Sequence, residues 1–117
     1  MKFYQNKETG EIITEAAEGF VEIIPNTTDA AKEKHVPVIT REGQTVTVAV
    51  GSVAHPMQEE HYITWILLET KNGEERKELK PCEEPVAQFY AAEDDEIVAA
   101  YAYCNLHGLW VGSADSH

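Results

Sequence analysis

The sequence has no long apolar run. The longest, around Ile66–Leu68, is far short of the roughly 20 residues that cross a bilayer, so no membrane span is expected. The first residues, Met1-Lys2-Phe3-Tyr4-Gln5-Asn6-Lys7, lack the apolar stretch and small-residue cleavage site of a secretory signal, and a cytoplasmic location is expected. Positive charge is scarce as well: 9 Lys and Arg stand against 21 Asp and Glu, a formal net charge of -12, with no basic tract. Nucleic acid and anionic membrane surfaces, which reward clustered cations, are excluded as partners. Cysteine is nearly missing, with only Cys82 and Cys104 present. A cytosolic chain of this size seldom depends on a single disulfide, so a metal ligand or a spare thiol is expected. No internal repeat or low-complexity tract occurs.

What is present suits a β protein. A chain of 117 residues, 43% hydrophobic and 26% charged, fits one core of ordinary globular composition. Along Gln44–Val50, Val46, Val48 and Val50 fall on one face and Thr45 and Thr47 on the other, the period of a strand. Val36–Thr40, His61–Glu69, Val86–Tyr90 and Glu96–Tyr103 are also rich in β-branched and aromatic residues and read as strands. Asn72-Gly73 predicts a type I′ hairpin turn joining His61–Glu69 to Glu75–Leu79. Glu42-Gly43, Lys80-Pro81 through Pro85, and Glu93-Asp94-Asp95 mark further breaks. Thr28–Glu33 is the one helical candidate, barely longer than a turn. The part before about Pro25 has its own small strands, Glu11–Thr14 and Phe20–Ile24, and could form a separate lobe. Short strands at this spacing predict a sandwich.

Of the five histidines, the terminal His117 is set aside. His35, His55, His61 and His107 each lie near the end of a strand run or in a turn. Cys104-Asn105-Leu106-His107 places a thiol and an imidazole three residues apart just after a strand, a spacing that a tight turn can fold around one ion. His55-Pro56-Met57-Gln58-Glu59-Glu60-His61 brings two more imidazoles across a short loop stiffened by Pro56. A structural zinc site closes with four ligands and this set offers five, which makes redox iron a candidate. Imidazole also suits zinc, copper and nickel, so softness does not select the metal. From the residues alone, a structural zinc site, an iron electron-transfer centre and a hydrolase with Cys104 as nucleophile and a histidine base stay open.

Three blocks then resemble the signature segments of the desulfoferrodoxin and neelaredoxin superoxide reductases: Glu33-Lys34-His35-Val36-Pro37-Val38-Ile39; Gly51-Ser52-Val53-Ala54-His55-Pro56-Met57 with His61-Tyr62; and Cys104-Asn105-Leu106-His107-Gly108-Leu109-Trp110. Leu79-Lys80-Pro81 followed by Glu84-Pro85 resembles a further block, and the likeness covers roughly residues 26–111. It implies an all-β, immunoglobulin-like sandwich of about seven strands with a short N-terminal β extension. It implies one iron ion (Fe2+/Fe3+) per chain, bound equatorially by His35, His55, His61 and His107 and axially by Cys104. The sixth position would be open for superoxide, which takes one electron and two protons and leaves as hydrogen peroxide. A thiolate opposite that position donates electron density to iron, and the N–H groups of Leu106 and His107 are candidate donors to its sulfur. Lys34 would supply local positive charge for an anionic substrate and help bring in protons. Glu33 would become the sixth ligand of ferric iron. A reduced electron donor such as rubredoxin and a homo-oligomer, dimer or tetramer, are implied as partners.

The chain departs from the family pattern at its start. Phe3–Ile13 resembles the opening strand and turn of a desulforedoxin-type domain, but Asn6 and Thr9 stand where a Cys-x-x-Cys pair would be. Residues 1–25 are therefore expected to be a degenerate, metal-free remnant and residues 26–117 the iron-binding domain. Ala54 replaces a frequent proline, and Cys82 a usual glycine. Cys82 is expected to be a free thiol, because pairing with Cys104 would remove the axial ligand. Trp65, Trp110, Tyr62, Tyr101 and Tyr103 are expected to pack in the core, and Gln58-Glu59-Glu60 and Glu93-Asp94-Asp95-Glu96 to be solvated loops.

Overall fold

A computed structural model describes residues 1–27, 35–51 and 56–113, which form ten strands and no helix. The strands are β1 (Phe3–Asn6), β2 (Ile12–Ile13), β3 (Phe20–Ile23), β4 (Pro37–Glu42), β5 (Thr45–Val50), β6 (Ile63–Thr70), β7 (Gly73–Glu78), β8 (Val86–Tyr90), β9 (Ile97–Cys104) and β10 (Gly108–Ser113). The helical candidate Thr28–Glu33 lies outside the described residues, as do Glu33, Lys34, His55 and His117.

The last seven strands make an immunoglobulin-like sandwich of two antiparallel sheets, ordered β4-β5-β8 and β10-β9-β6-β7. Val46, Val48 and Val50 of β5 are buried, while the residues between them are half-exposed. Together with Ile39 and Phe89 they meet Ile66, Leu68, Ala100 and Ala102 of the facing sheet. Strands β6 and β9 are buried on both faces. Their outer face carries Trp65, Leu67, Ala99 and Tyr101, joined by Leu109 of β10 and covered by Phe3 and Ile12 of the third sheet, β2-β1-β3. Burying one such aromatic side chain is worth about 1.5–3 kcal/mol. The N-terminal strands thus pack against the outer face of the sandwich through Phe3 and Ile12.

Inside that N-terminal sheet, the Asn6 carboxamide oxygen accepts the N–H groups of Glu8 and Thr9 at 2.9 and 3.1 Å. The Gly10 N–H, at φ 81°, donates to the Asn6 carbonyl at 2.7 Å. This Asx-type turn satisfies its own backbone donors.

Several expectations are corrected. The β6–β7 turn is centred on Lys71-Asn72, since Thr70 pairs with Gly73 and neither turn residue has positive φ; it is not a type I′ turn at Asn72-Gly73. Tertiary contacts hold it: Lys71 N–H donates to the Glu96 carbonyl at 2.9 Å and Asn72 N–H to the Asp95 carboxylate at 3.3 Å. Asp95 is accordingly buried and not solvated, and its carbonyl accepts from the Arg41 guanidinium at 2.7 Å. Strand β10 has no counterpart among the expected strands, because its two glycines, Gly108 and Gly112, depress the strand signal.

Candidate metal centre

Four of the sequence-predicted ligands converge at one end of the sandwich. Cys104 ends β9, His107 immediately precedes β10, and His61 and His35 each lie two residues ahead of β6 and β4. The pairings Cys104↔Gly108, Ile63↔Cys104 and Pro37↔Val50 put these strand ends on the same rim. In sequence, His55 falls between β5 and β6.

A bulge sets the phase. The β6–β9 register shifts between Ile63 and Trp65, where β6 advances two residues against one of β9. Unbroken alternation from Ile66 would point Ile63 outward; the extra residue, Thr64, returns it to the inner cluster opposite Cys104. Bulges are commonly found where a site must be re-aimed.

The turn after Cys104 is a three-residue loop closed by Gly108 at φ 88°, a conformation that glycine adopts without strain. It folds His107 back so that its Nδ1 lies 3.7 Å from Cys104 Sγ and 3.2 Å from His35 Nε2. The His61 and His107 rings meet edge to face at 5.0 Å. Cys104 is fully buried, and burial pushes its thiol above the ordinary range; backbone N–H donors from Leu106 and His107 work the other way. Those are the two donors expected for the sulfur. His35 is buried, His61 half-buried and His107 exposed, so the cluster opens to solvent on the His107 side.

The main chain around His61 is tied down from two directions. Gln58 and His61 exchange backbone hydrogen bonds at 2.9 and 3.0 Å. Asn105 then reaches across from the other loop: its side-chain oxygen accepts from Tyr62 N–H at 3.0 Å and its nitrogen donates to the Glu60 carbonyl at 3.1 Å. Met57 adds its Sδ as acceptor for Ile63 N–H at 3.4 Å. Cys82 is free, as expected, and lies exposed; Trp65, Tyr101 and Trp110 are buried, as expected, and Tyr62 and Tyr103 are only partly so.

Two donors each about 2.0–2.3 Å from a shared ion stand no more than about 4.6 Å apart. The ligand atoms of His35, His61, Cys104 and His107 all lie within 4.8 Å of one another, at most slightly beyond that span, so a small rotation of the side chains brings all four onto one metal ion. Imidazole and thiolate together suit iron or zinc.

The desulfoferrodoxin family model matches residues 27–113. This chain belongs to the desulfoferrodoxin family. Within it, a desulfoferrodoxin homolog from Archaeoglobus fulgidus is 60% identical over 84 residues, covering 72% of this chain and 66% of that protein. The desulfoferrodoxin of Clostridium acetobutylicum is 48% identical over 101 residues, covering 86% and 78%. Among solved structures, the superoxide reductase from Treponema pallidum superposes with a TM-score of 0.82 at 37% identity, covering 96% of this chain and 97% of that one. The desulfoferrodoxin match starts where β3 has ended, and the Treponema structure extends the similarity over nearly the whole chain.

Proposed function

We propose that this protein is a superoxide reductase, catalysing O2•− + e− + 2 H+ → H2O2 at one mononuclear non-haem iron per chain. The observation that carries the reading is the cluster of three imidazoles and one thiol within 4.8 Å, built by a desulfoferrodoxin chain at a solvent-facing rim. Similarity to proteins named as superoxide reductases supports the activity. The ligands are His35, His61, His107 and Cys104, with His55 as the fourth imidazole. Residues 1–25 act as a metal-free remnant that covers the sandwich, and residues 26–117 as the iron-binding domain.

Iron held there supplies the electron. The chain's own residues prepare that transfer. Cys104 is enclosed by the sandwich core and offers its sulfur to backbone donors from Leu106 and His107, which tune how strongly it donates charge. His107 stands at the solvent-facing side, where an anion the size of superoxide can enter. On a chain with net charge -12, an anionic substrate needs a local cation, and Lys34 fills that role next to His35 in sequence. Glu33, two residues before His35 in sequence, would hold the oxidised iron as a further oxygen ligand. The electron comes from a reduced donor protein such as rubredoxin, in a cytoplasmic homo-oligomer, dimer or tetramer. No helix among the described residues is long and apolar enough to cross a membrane.

The test combines metal analysis with spectroscopy on protein from iron-supplied cells. Stoichiometric iron, a sulfur-to-ferric charge-transfer band formed when superoxide meets the reduced protein, and peroxide without dioxygen are expected. Zinc in place of iron, with no spectral response, overturns the reading in favour of a structural site.

A further inference from the structure

Trp110 touches two residues of the cluster by two different contacts. Its indole lies face to face with the His35 imidazole, centroids 4.8 Å apart and planes 14° from parallel. Its Nε1–H donates to the main-chain carbonyl of His107 at 3.1 Å. Trp110 and His35 are each only 8% exposed, so both rings are held by surrounding atoms. The imidazole nitrogens that Trp110 brings together, His35 Nε2 and His107 Nδ1, belong to residues 72 apart in sequence and stand 3.2 Å apart.

This contact is built into the sandwich. On β10, Trp110 and Gly112 share the inner face, pairing with Ala102 and Ala100. Gly112 has no room for a side chain: a Cβ there would collide with the carbonyl of Pro37. Two residues earlier on each segment, His35 rests on Trp110. The missing side chain at 112 therefore lets β10 approach the start of β4 closely enough for the two rings to stack.

An imidazole turns about its Cβ–Cγ bond in a broad, roughly two-fold well, so its lone pair is aimed only if something fixes the ring plane. We propose that Trp110 is a positioning residue of the metal centre. Its ring sets the plane of His35 and its N–H sets the main chain of His107, so two candidate ligands far apart in sequence point at one place before an ion arrives. The inference rests on the metal-site reading above. Trp65 provides the contrast. It too is buried but lies on the outer face of the sheet, stacked on Tyr103 and under Arg76.

The experiment is an anaerobic titration of the metal-free full-length chain with Co2+, following sulfur-to-cobalt charge transfer and the ligand-field bands. It compares wild type with Trp110→Phe, Trp110→Leu and Trp65→Phe, and includes thermal melting of each metal-free protein. Loss of such outer contacts typically weakens metal affinity about 10–100-fold. That loss is expected for Trp110→Leu, with Trp110→Phe intermediate because it keeps an aromatic face without the N–H. Both should shift the ligand-field bands. Trp65→Phe should lower the melting temperature yet leave affinity and bands unchanged, which separates positioning from general packing. If Trp110→Leu does not fold, Trp110→Phe decides. Wild-type affinity and bands in the folded Trp110 variants overturn the proposal. A wild type that binds Co2+ without sulfur charge transfer overturns the metal-site reading itself, and this inference with it.

Discussion

Asn105 holds the backbone on both sides of His61, accepting from Tyr62 N–H at 3.0 Å and donating to the Glu60 carbonyl at 3.1 Å. A third bond, from Asn105 N–H to the Tyr62 carbonyl at 3.2 Å, joins the two loops through their main chains. The turn that carries Cys104 and His107 is thereby fastened to the turn that carries His61.

Asn105→Ala removes both side-chain bonds. Each is worth about 0.5–1.5 kcal/mol, so the metal-free fold should lose roughly 1–3 kcal/mol in urea unfolding. Metal affinity should fall as well, because His61 loses its frame. Asn105→Asp keeps the acceptor for Tyr62 and loses the donor to Glu60, and should fall between. Unchanged affinity in Asn105→Ala would show that the Gln58–His61 pair holds the ligand by itself.

Gly112→Ala should be more disruptive than its size suggests. The added methyl meets backbone at Pro37 and not a side chain that can turn away. Overpacking of this kind costs about 1–3 kcal/mol. It should also part the His35 and Trp110 rings, so tryptophan fluorescence and metal affinity should change together. A fold as stable as wild type with both signals unchanged would mean that the strands separate without cost.

Tyr101 gives the metal-free chain an alkaline signature. Its phenol is buried and donates to the Glu69 carboxylate at 3.0 Å; burial first, and then that hydrogen bond, push its pKa well above the ordinary tyrosine value. The folded state keeps a proton that the unfolded chain gives up near about pH 10. This contribution is therefore fully present below about pH 10 and lost as pH rises beyond it. Tyr101→Phe should be less stable by about 1–2 kcal/mol at pH 7 and should show a shallower decline between pH 9 and 11. Parallel curves for the two proteins would argue against Tyr101 as the source.

Removing the metal should lower the melting temperature, since an ion that binds only the folded chain stabilises it by about 4 kcal/mol at a thousandfold excess over Kd. Cys104→Ser should abolish the sulfur charge-transfer band, and His61→Ala should lose iron or that band. Cys82→Ser, at an exposed free thiol, should do neither. A band that survives in Cys104→Ser would move the sulfur ligand to Cys82.

Lys34→Ala should slow the reaction with superoxide by about tenfold at low ionic strength and flatten its dependence on added salt. Metal content should stay the same. An unaltered rate and salt profile would remove Lys34 from the path of the substrate.

The sequence by itself determined the strands that obey period two, above all β5, because alternation of valine with threonine needs no partner to be read. It also offered a candidate set of metal-binding residues, because histidine and cysteine are rare here, and four of them, His35, His61, Cys104 and His107, come together in the fold. Only the tertiary structure decided that β6 and β9 are covered on both faces, since the cover over Trp65 and Tyr101 comes from Phe3 and Ile12, far away in sequence. The same holds for the bulge at Thr64, for the Lys71-Asn72 turn tied to Asp95 and Glu96, and for β10. In each case distant contacts supply the energy that settles the conformation, and at Lys71-Asn72 they override the local Asn72-Gly73 signal. Trp110 shows the limit most clearly. As an aromatic residue it promised burial; that its ring would lie on His35 depended on a close approach of two strands that Gly112 alone permits.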